Sequence, residues 1–111
     1  MTTDVNEFRS QISVRVKQQI IYTQHALDEM NEEEEMITPE EIRQVVLEGE
    51  IIEDYPEDKR GHSCLILGYS GKERPIHVVC APKDEYLGII TTYIPTLGKW
   101  ENDFRTRKKG D

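Results

Sequence analysis

Apolar residues near the N-terminus recur at helical spacing: Val5, Phe8, Ile12 and Val16, with Ile20 one turn on and Arg9, Arg15 and Lys17 pointing elsewhere. That 3.6-residue period predicts an amphipathic helix over Asp4 to Gln19, with Asp4 as its N-cap. Ile20, Ile21 and Tyr22 are β-branched or aromatic and predict a short extended segment. A second helix is expected from Thr23, its cap, to about Asn31, with Ala26, Leu27 and Met30 as its apolar edge and His25 in its first turn. The run Glu32-Glu33-Glu34-Glu35 sets four like charges in series, which favours a solvated loop or a frayed helix end. Thr38-Pro39-Glu40-Glu41 then carries the clearest local signal. Thr38 caps, Pro39 takes the first helical position where its missing N–H costs nothing, and Glu41 completes a capping box. The spacing of Ile42, Val45 and Val46 predicts a helix over Pro39 to Glu48, ended by Gly49 in a left-handed conformation.

Beyond Gly49 the pattern shortens to that of strands. Ile51, Ile52 and Tyr55 start a strand that Pro56 ends, and the polar stretch Pro56 to Gly61 reads as a hairpin loop. From His62 to Pro95 three apolar runs are separated by two turn-like segments, Ser70 to Pro75 and Ala81 to Glu85. Their β-branched and aromatic content predicts three consecutive antiparallel strands, and a sheet of four antiparallel strands in all. The fold class expected is therefore α+β, with the N-terminal helices packed on one face of the sheet. Alternation sets His77 on a face with Val79, while Ile76, Val78 and Cys80 share the other; both faces of the run from Cys64 to Tyr69 are rather apolar. After Pro95, the spacing of Leu97, Trp100 and Phe104 predicts a last helical turn on the core, followed by the basic tail Arg105 to Lys109.

A chain of 111 residues supports one domain, taken as residues 1–111. Its net charge of −8 is unevenly spread. Ala26 to Asp58 holds fourteen acidic residues and one basic, Arg43, a local net of −13, whereas the remainder carries thirteen basic and eight acidic, a net of +5. The plain reading is a solvated acidic helical face; the sharper one is an acidic surface that keeps a basic sheet-side groove from binding indiscriminately. No apolar run approaches a membrane span and no signal-like stretch opens the chain, so a cytoplasmic protein with no membrane partner is expected. Cys64 and Cys80 fall within strands without metal-ligand spacing, which predicts free buried thiols and no metal or cofactor.

Candidate chemistry is sparse: three histidines, the tyrosines at strand ends and Arg60. Each histidine taken singly is more often structural than catalytic. There is no Ser-His-Asp signature, no glycine-rich phosphate loop and no HExxH. Order adds more than any one residue. The segments YTQHALDEM (22–30), ITPEEI (37–42), GEIIEDYP (49–56), SCLILG (63–68), IHVV (76–79) and IITTYIP (89–95), with Trp100, follow one another. In that order they resemble the uncharacterised bacterial domain family numbered 4258, over about Ile20 to Arg107.

That resemblance implies a RelE-like fold, grouped with barnase-EndoU-colicin-RelE ribonuclease-fold toxins, and RNA cleavage without a metal. In such a reaction a base takes the 2′-OH proton, the oxygen attacks the adjacent phosphate, and an acid protonates the leaving 5′-oxygen. Carried over by position, His25 and His77 are the acid–base candidates, Arg60 the phosphate-binding cation, and Thr91 or Tyr93 a hydrogen-bonding neighbour. Arg105, Arg107, Lys108 and Lys109, with Trp100 as a stacking platform, would hold the RNA. Glu29 and the glutamates after it place negative charge near His25, which opposes a phosphate there. Two functions are thus expected of the chain. One is a metal-independent endoribonuclease, as a toxin with an antitoxin-like partner; the other is a non-catalytic module whose acidic helical face meets a basic protein. An exposed sheet edge would also permit a homodimer.

Overall fold

A computed structural model describes residues 5–71 and 73–109, with only the backbone of Val5. The expected cap at Asp4, the side chain of Val5 and Lys72 of the first meander turn lie outside the described residues. The elements run α1 (Val5–Gln18), β1 (Ile20–Tyr22), α2 (Gln24–Met30), α3 (Pro39–Glu48), β2 (Glu50–Tyr55), β3 (Ser63–Tyr69), β4 (Pro75–Pro82) and β5 (Leu87–Tyr93). Mixed α+β architecture follows, with one sheet. No described helix is long and apolar enough to cross a membrane.

The sheet has five strands, not four, in the order β1-β5-β4-β3-β2. β2 to β5 are antiparallel neighbours, whereas β1 lies parallel to β5, with Ile20, Ile21 and Tyr22 opposite Leu87, Gly88 and Ile89. Ile20 to Tyr22 form the short extended segment expected of them, but its pairing along the β5 edge, which makes it a fifth strand, is carried by no local pattern. Register shifts interrupt β2 between Ile51 and Glu53 and β4–β5 between Val79 and Cys80. Such bulges turn the strand that carries them and re-aim its side chains.

All three helices cover one face. Phe8, Ile12 and Val16 of α1, Ala26 and Met30 of α2, and Ile42, Val45 and Val46 of α3 bury against Cys64, Ile66, Ile76, Val78, Cys80, Leu87 and Ile89. The α3 start is built as its sequence requires: Thr38 Oγ1 accepts from Glu41 N at 3.1 Å, and Glu41 Oε1 accepts from Thr38 N at 3.0 Å. Gly49, however, is extended (φ −76°, ψ 176°), not left-handed. A side chain is excluded there by crowding, because a Cβ would stand 2.5 Å from the Val45 carbonyl and 2.6 Å from that of Leu67. Cys64 and Cys80 face each other across β3 and β4 as buried free thiols. The Cys64 thiol and full burial push the Cys80 thiol up.

The other sheet face is covered as well, which explains why β3 reads apolar on both sides. Residues 94–109 form a strap across it. Trp N–H of the backbone at position 100 closes one turn onto the Thr96 carbonyl at 3.0 Å, and a bridge pairs Trp100 with Arg107. Beneath the strap a second core gathers Leu65, Val79, Ala81, Ile90 and Trp100, with Ile52, Tyr55 and Phe104 packed at its margin.

Candidate functional site

His77 is the buried polar residue around which the strap is arranged. Strand alternation sends it away from the helices, and the register places it between Leu67 of β3 and Tyr93 of β5. It is fully buried. Trp100 meets its ring edge-on at 4.5 Å between centroids. His77 Nε2 lies 2.6 Å from the Phe104 carbonyl and Nδ1 3.2 Å from the Tyr93 hydroxyl. A carbonyl only accepts, so Nε2 carries the proton; in the neutral ring Nδ1 then accepts from the Tyr93 O–H. Burial holds the His77 pKa below its ordinary value, outweighing the Phe104 carbonyl and the charge of Glu53, which favour the imidazolium. Phe104 itself has φ +57°, a left-handed conformation that is unfavourable for a bulky side chain. The strap accepts that strain at the residue whose carbonyl receives His77.

Above this pair lies a polar clamp. The Arg107 guanidinium sits 4.7 Å from the centre of the Trp100 ring, a cation–π contact. Its Nε and Nη2 donate to the two Glu53 oxygens at 2.8 and 3.0 Å, and the Tyr55 hydroxyl donates to the same carboxylate. Burial alone would raise the Glu53 carboxyl, yet the Arg107 fork and the Tyr55 bond together hold it below the ordinary range. Tyr55, half-buried beside that carboxylate, is pushed up to about 12. Burial also raises Tyr93.

Between the end of β5 and the strap a groove of about 390 Å³ opens, lined by Tyr93, Pro95, Thr96, Lys99, Trp100 and Arg107. A second recess of about 270 Å³, lined by Gly98, Lys99, Arg107 and Lys108, shares two of those residues and so adjoins it. Lys99 and Lys108 have no carboxylate partner among the described residues, and both are exposed. Four arginines differ: Arg60 pairs with Asp58, Arg74 with Glu41, Arg105 with Glu50 and Arg107 with Glu53. Two unpaired ammonium groups beside a guanidinium and a phenol suit an extended anion with a planar group attached.

The expected site residues do not all meet there. His77, Tyr93, Trp100 and Arg107 come together, with Lys108 beside them. Thr91 pairs with Val79 on the same face of β5, two residues before Tyr93. His25 does not join them. It lies on the outer side of α2, with its side chain 66% exposed and Nε2 3.8 Å from Glu29, and the sheet stands between α2 and the strap. The acid–base pair of His25 and His77 is therefore not assembled. Arg60 is locked in the β2–β3 loop, where Nε and Nη2 each donate to Asp58 at 3.0 Å. Trp100 is 2% exposed, with one face under Arg107 and its ring perpendicular to that of His77, so it is a packing centre and not a free stacking platform. Arg105 bonds Glu50 at 2.5 Å, and Lys109 is exposed at the end of the strap. Sequence reasoning did not single out Lys99, Glu53 or the Phe104 carbonyl. β2 holds Glu50, Glu53 and Asp54, so nothing along the strand set Glu53 apart from the other two acids.

Among the described residues, no three His, Cys, Asp or Glu side chains are grouped to hold a metal ion. A family model described as a domain of unknown function (DUF4258) matches residues 22–94, from the last residue of β1 to just past β5. No curated protein and no solved structure matches the chain.

Proposed function

The chain belongs to the DUF4258 family, and we propose that it binds the phosphodiester backbone of single-stranded RNA in the groove between β5 and the strap. One observation carries the reading: Lys99 and Lys108 stand unpaired beside Arg107 and Tyr93, in a groove that continues past Lys99. The choice of RNA over other polyanions rests on the RelE-like ribonuclease grouping that the family resemblance implies. The overall charge of −8 does not oppose it. Exposed charges more than a Debye length away, about 10 Å at 0.1 M salt, are largely screened, so the local cations decide. The acidic loop at Glu32–Glu35 belongs to the α2–α3 connection on the helical side of the sheet.

The test is fluorescence anisotropy with a labelled single-stranded RNA, comparing wild type with Lys99→Glu/Lys108→Glu. Affinity should fall by at least about tenfold, and the salt dependence should flatten by roughly 0.7 per lost phosphate contact. Unchanged affinity in the double reversal refutes the reading. Absence of binding by the wild type would favour the acidic helical face and a basic protein partner.

A second reading is cleavage, and the Tyr93–His77 bond favours it. Tyr93 lines the groove while its hydroxyl donates to a buried imidazole. In a metal-independent transesterification the 2′-OH proton would pass to Tyr93 Oη as the tyrosine proton passes to His77 Nδ1. The 2′-oxygen attacks phosphorus, and the Lys99 ammonium gives its proton to the leaving 5′-oxygen. Tyr93 is then the catalytic residue and His77 a positioning residue behind it; His25 has no part. Incubation with RNA in EDTA tests it: cleavage lost in Tyr93→Phe while RNA affinity persists supports the step. Equal cleavage by both proteins removes it. Growth arrest on expression, relieved by Tyr93→Phe, would extend the reading to a toxin.

A further inference from the structure

The strap-side face of the sheet carries a second pocket, remote in composition from the groove. β1 is one of the two edge strands, and its middle residue Ile21 pairs with Gly88, which in turn pairs with Ala81 on the strap side of the sheet. Ile21 is 42% exposed there. A pocket of about 270 Å³ opens at this corner, lined by apolar Ile21, Gly88 and Ile90, the rings of Tyr22 and Tyr86, and the cations Arg60 and Lys83, with Thr23 at its side. It shares no residue with the groove.

Its two cations are held in place by the fold. The Arg60 backbone N–H, Nε and Nη2 all donate to Asp58, which leaves Nη1 without a partner among the described residues. Ser63 Oγ donates to the same carboxylate at 2.6 Å. These bonds, led by the Arg60 side chain, hold the Asp58 carboxyl far below the ordinary range, so it stays charged and occupied. Lys83 follows β4 in a turn closed by its N–H on the Tyr86 carbonyl at 2.8 Å, and its Nζ donates to the Arg60 carbonyl. That approach requires Gly61: its φ is +106°, and a Cβ there would stand 2.9 Å from Lys83 Nζ. Gly88 is different. A Cβ at Gly88 would meet no atom closer than 3.5 Å, so a methyl would fit in ordinary contact and the backbone does not demand glycine there.

Two cations and no carboxylate line the pocket, and Asp58 is taken up by Arg60 and Ser63, so positive charge stands beside an apolar lining. We infer that this pocket binds a small apolar monocarboxylate, its aromatic or branched body on Ile21, Gly88 and Ile90 and its carboxylate between Arg60 Nη1 and Lys83 Nζ. Apolar lining with a few convergent polar groups is the usual make-up of a small-molecule site. A phosphate dianion suits it poorly, since its second charge and further oxygens would face the apolar lining of Ile21, Gly88 and Ile90. The inference does not depend on RNA binding in the groove.

The experiment is a two-dimensional amide NMR titration of the full chain with phenylacetate, with neutral phenylacetamide, and with inorganic phosphate. Phenylacetate should move the amide signals of Ile21, Gly88, Ile90 and Lys83 saturably, and phenylacetamide should bind at least about tenfold more weakly. Gly88→Val, which fills the pocket, should abolish the shifts; Gly88→Ala, whose methyl has ordinary contacts, should weaken them with the rest of the spectrum intact. Arg60→Gln should erase the preference for the charged ligand. Equal binding of the two phenyl ligands, shifts by phosphate at the same amides as large as those by phenylacetate, or no shifts at these four residues overturns the assignment.

Discussion

Burial of a neutral imidazole at His77 makes a quantitative prediction about acid stability. The folded pKa lies below the unfolded value of about 6.5, so near that pH the unfolded chain binds more protons than the native one. Stability from this residue is therefore fully present above pH 6.5 and is lost as pH falls from there toward the folded pKa. One proton of difference gives a limiting slope of about 1.4 kcal/mol per pH unit. Between pH 7.5 and 5.5 the loss is then at most about 1.4 kcal/mol, reached if folded His77 stays neutral throughout. His25 and His62 also sit beside carboxylates, Glu29 and Asp54, so the measurement must be a difference. Urea unfolding at pH 7.5, 6.5 and 5.5, for wild type and His77→Gln, isolates the residue. The wild type should lose more stability on acidification than the variant. Glu53→Gln removes a charge that favours the imidazolium and should lower the His77 midpoint further. Parallel pH curves for wild type and His77→Gln, or an imidazole NMR midpoint at or above 6.5, would refute the burial argument.

Trp100→Ala should destabilise by about 3–5 kcal/mol, because a ring that is 2% exposed joins the strap to the second core; a denaturation midpoint within error of wild type would show that the strap contributes little. Thr38→Ala, which removes one half of the capping box, should cost about 1 kcal/mol by the same assay without altering the fold. Gly49→Ala should cost about 1–3 kcal/mol even though its φ suits alanine, since two carbonyl oxygens must move aside; a neutral result would mean that the α3–β2 junction relaxes freely. Arg107→Gln should cost no more than about 1 kcal/mol, because the fork to Glu53 is largely solvent-exposed on the arginine side.

Helices α2 and α3 were readable because their information is local. Thr23 and Thr38 lie a few residues from the amides they cap, and Ile42, Val45 and Val46 declare a face within two turns. The meander was equally legible, since turns of a few residues join β3, β4 and β5 and leave little choice of pairing. The site was legible only as a set of residue types. His77, Tyr93, Trp100 and Arg107 stood out, but nothing along the chain told that they form one cluster or that His25 stands on the other side of the sheet.

Sequence alone thus determined the helices, the antiparallel strands and the alternation that separates His77 from Ile76 and Val78, because each depends on neighbours within about one turn or one pleat. Tertiary structure decided the rest. β1 joins β5 across some sixty-five intervening residues, Glu53 meets Arg107 from a position 54 residues away, and the strap closes over His77 from 27 residues downstream. Such contacts are chosen by which apolar surface remains uncovered once the local elements have packed. That remainder is a property of the whole fold and is written in no single segment.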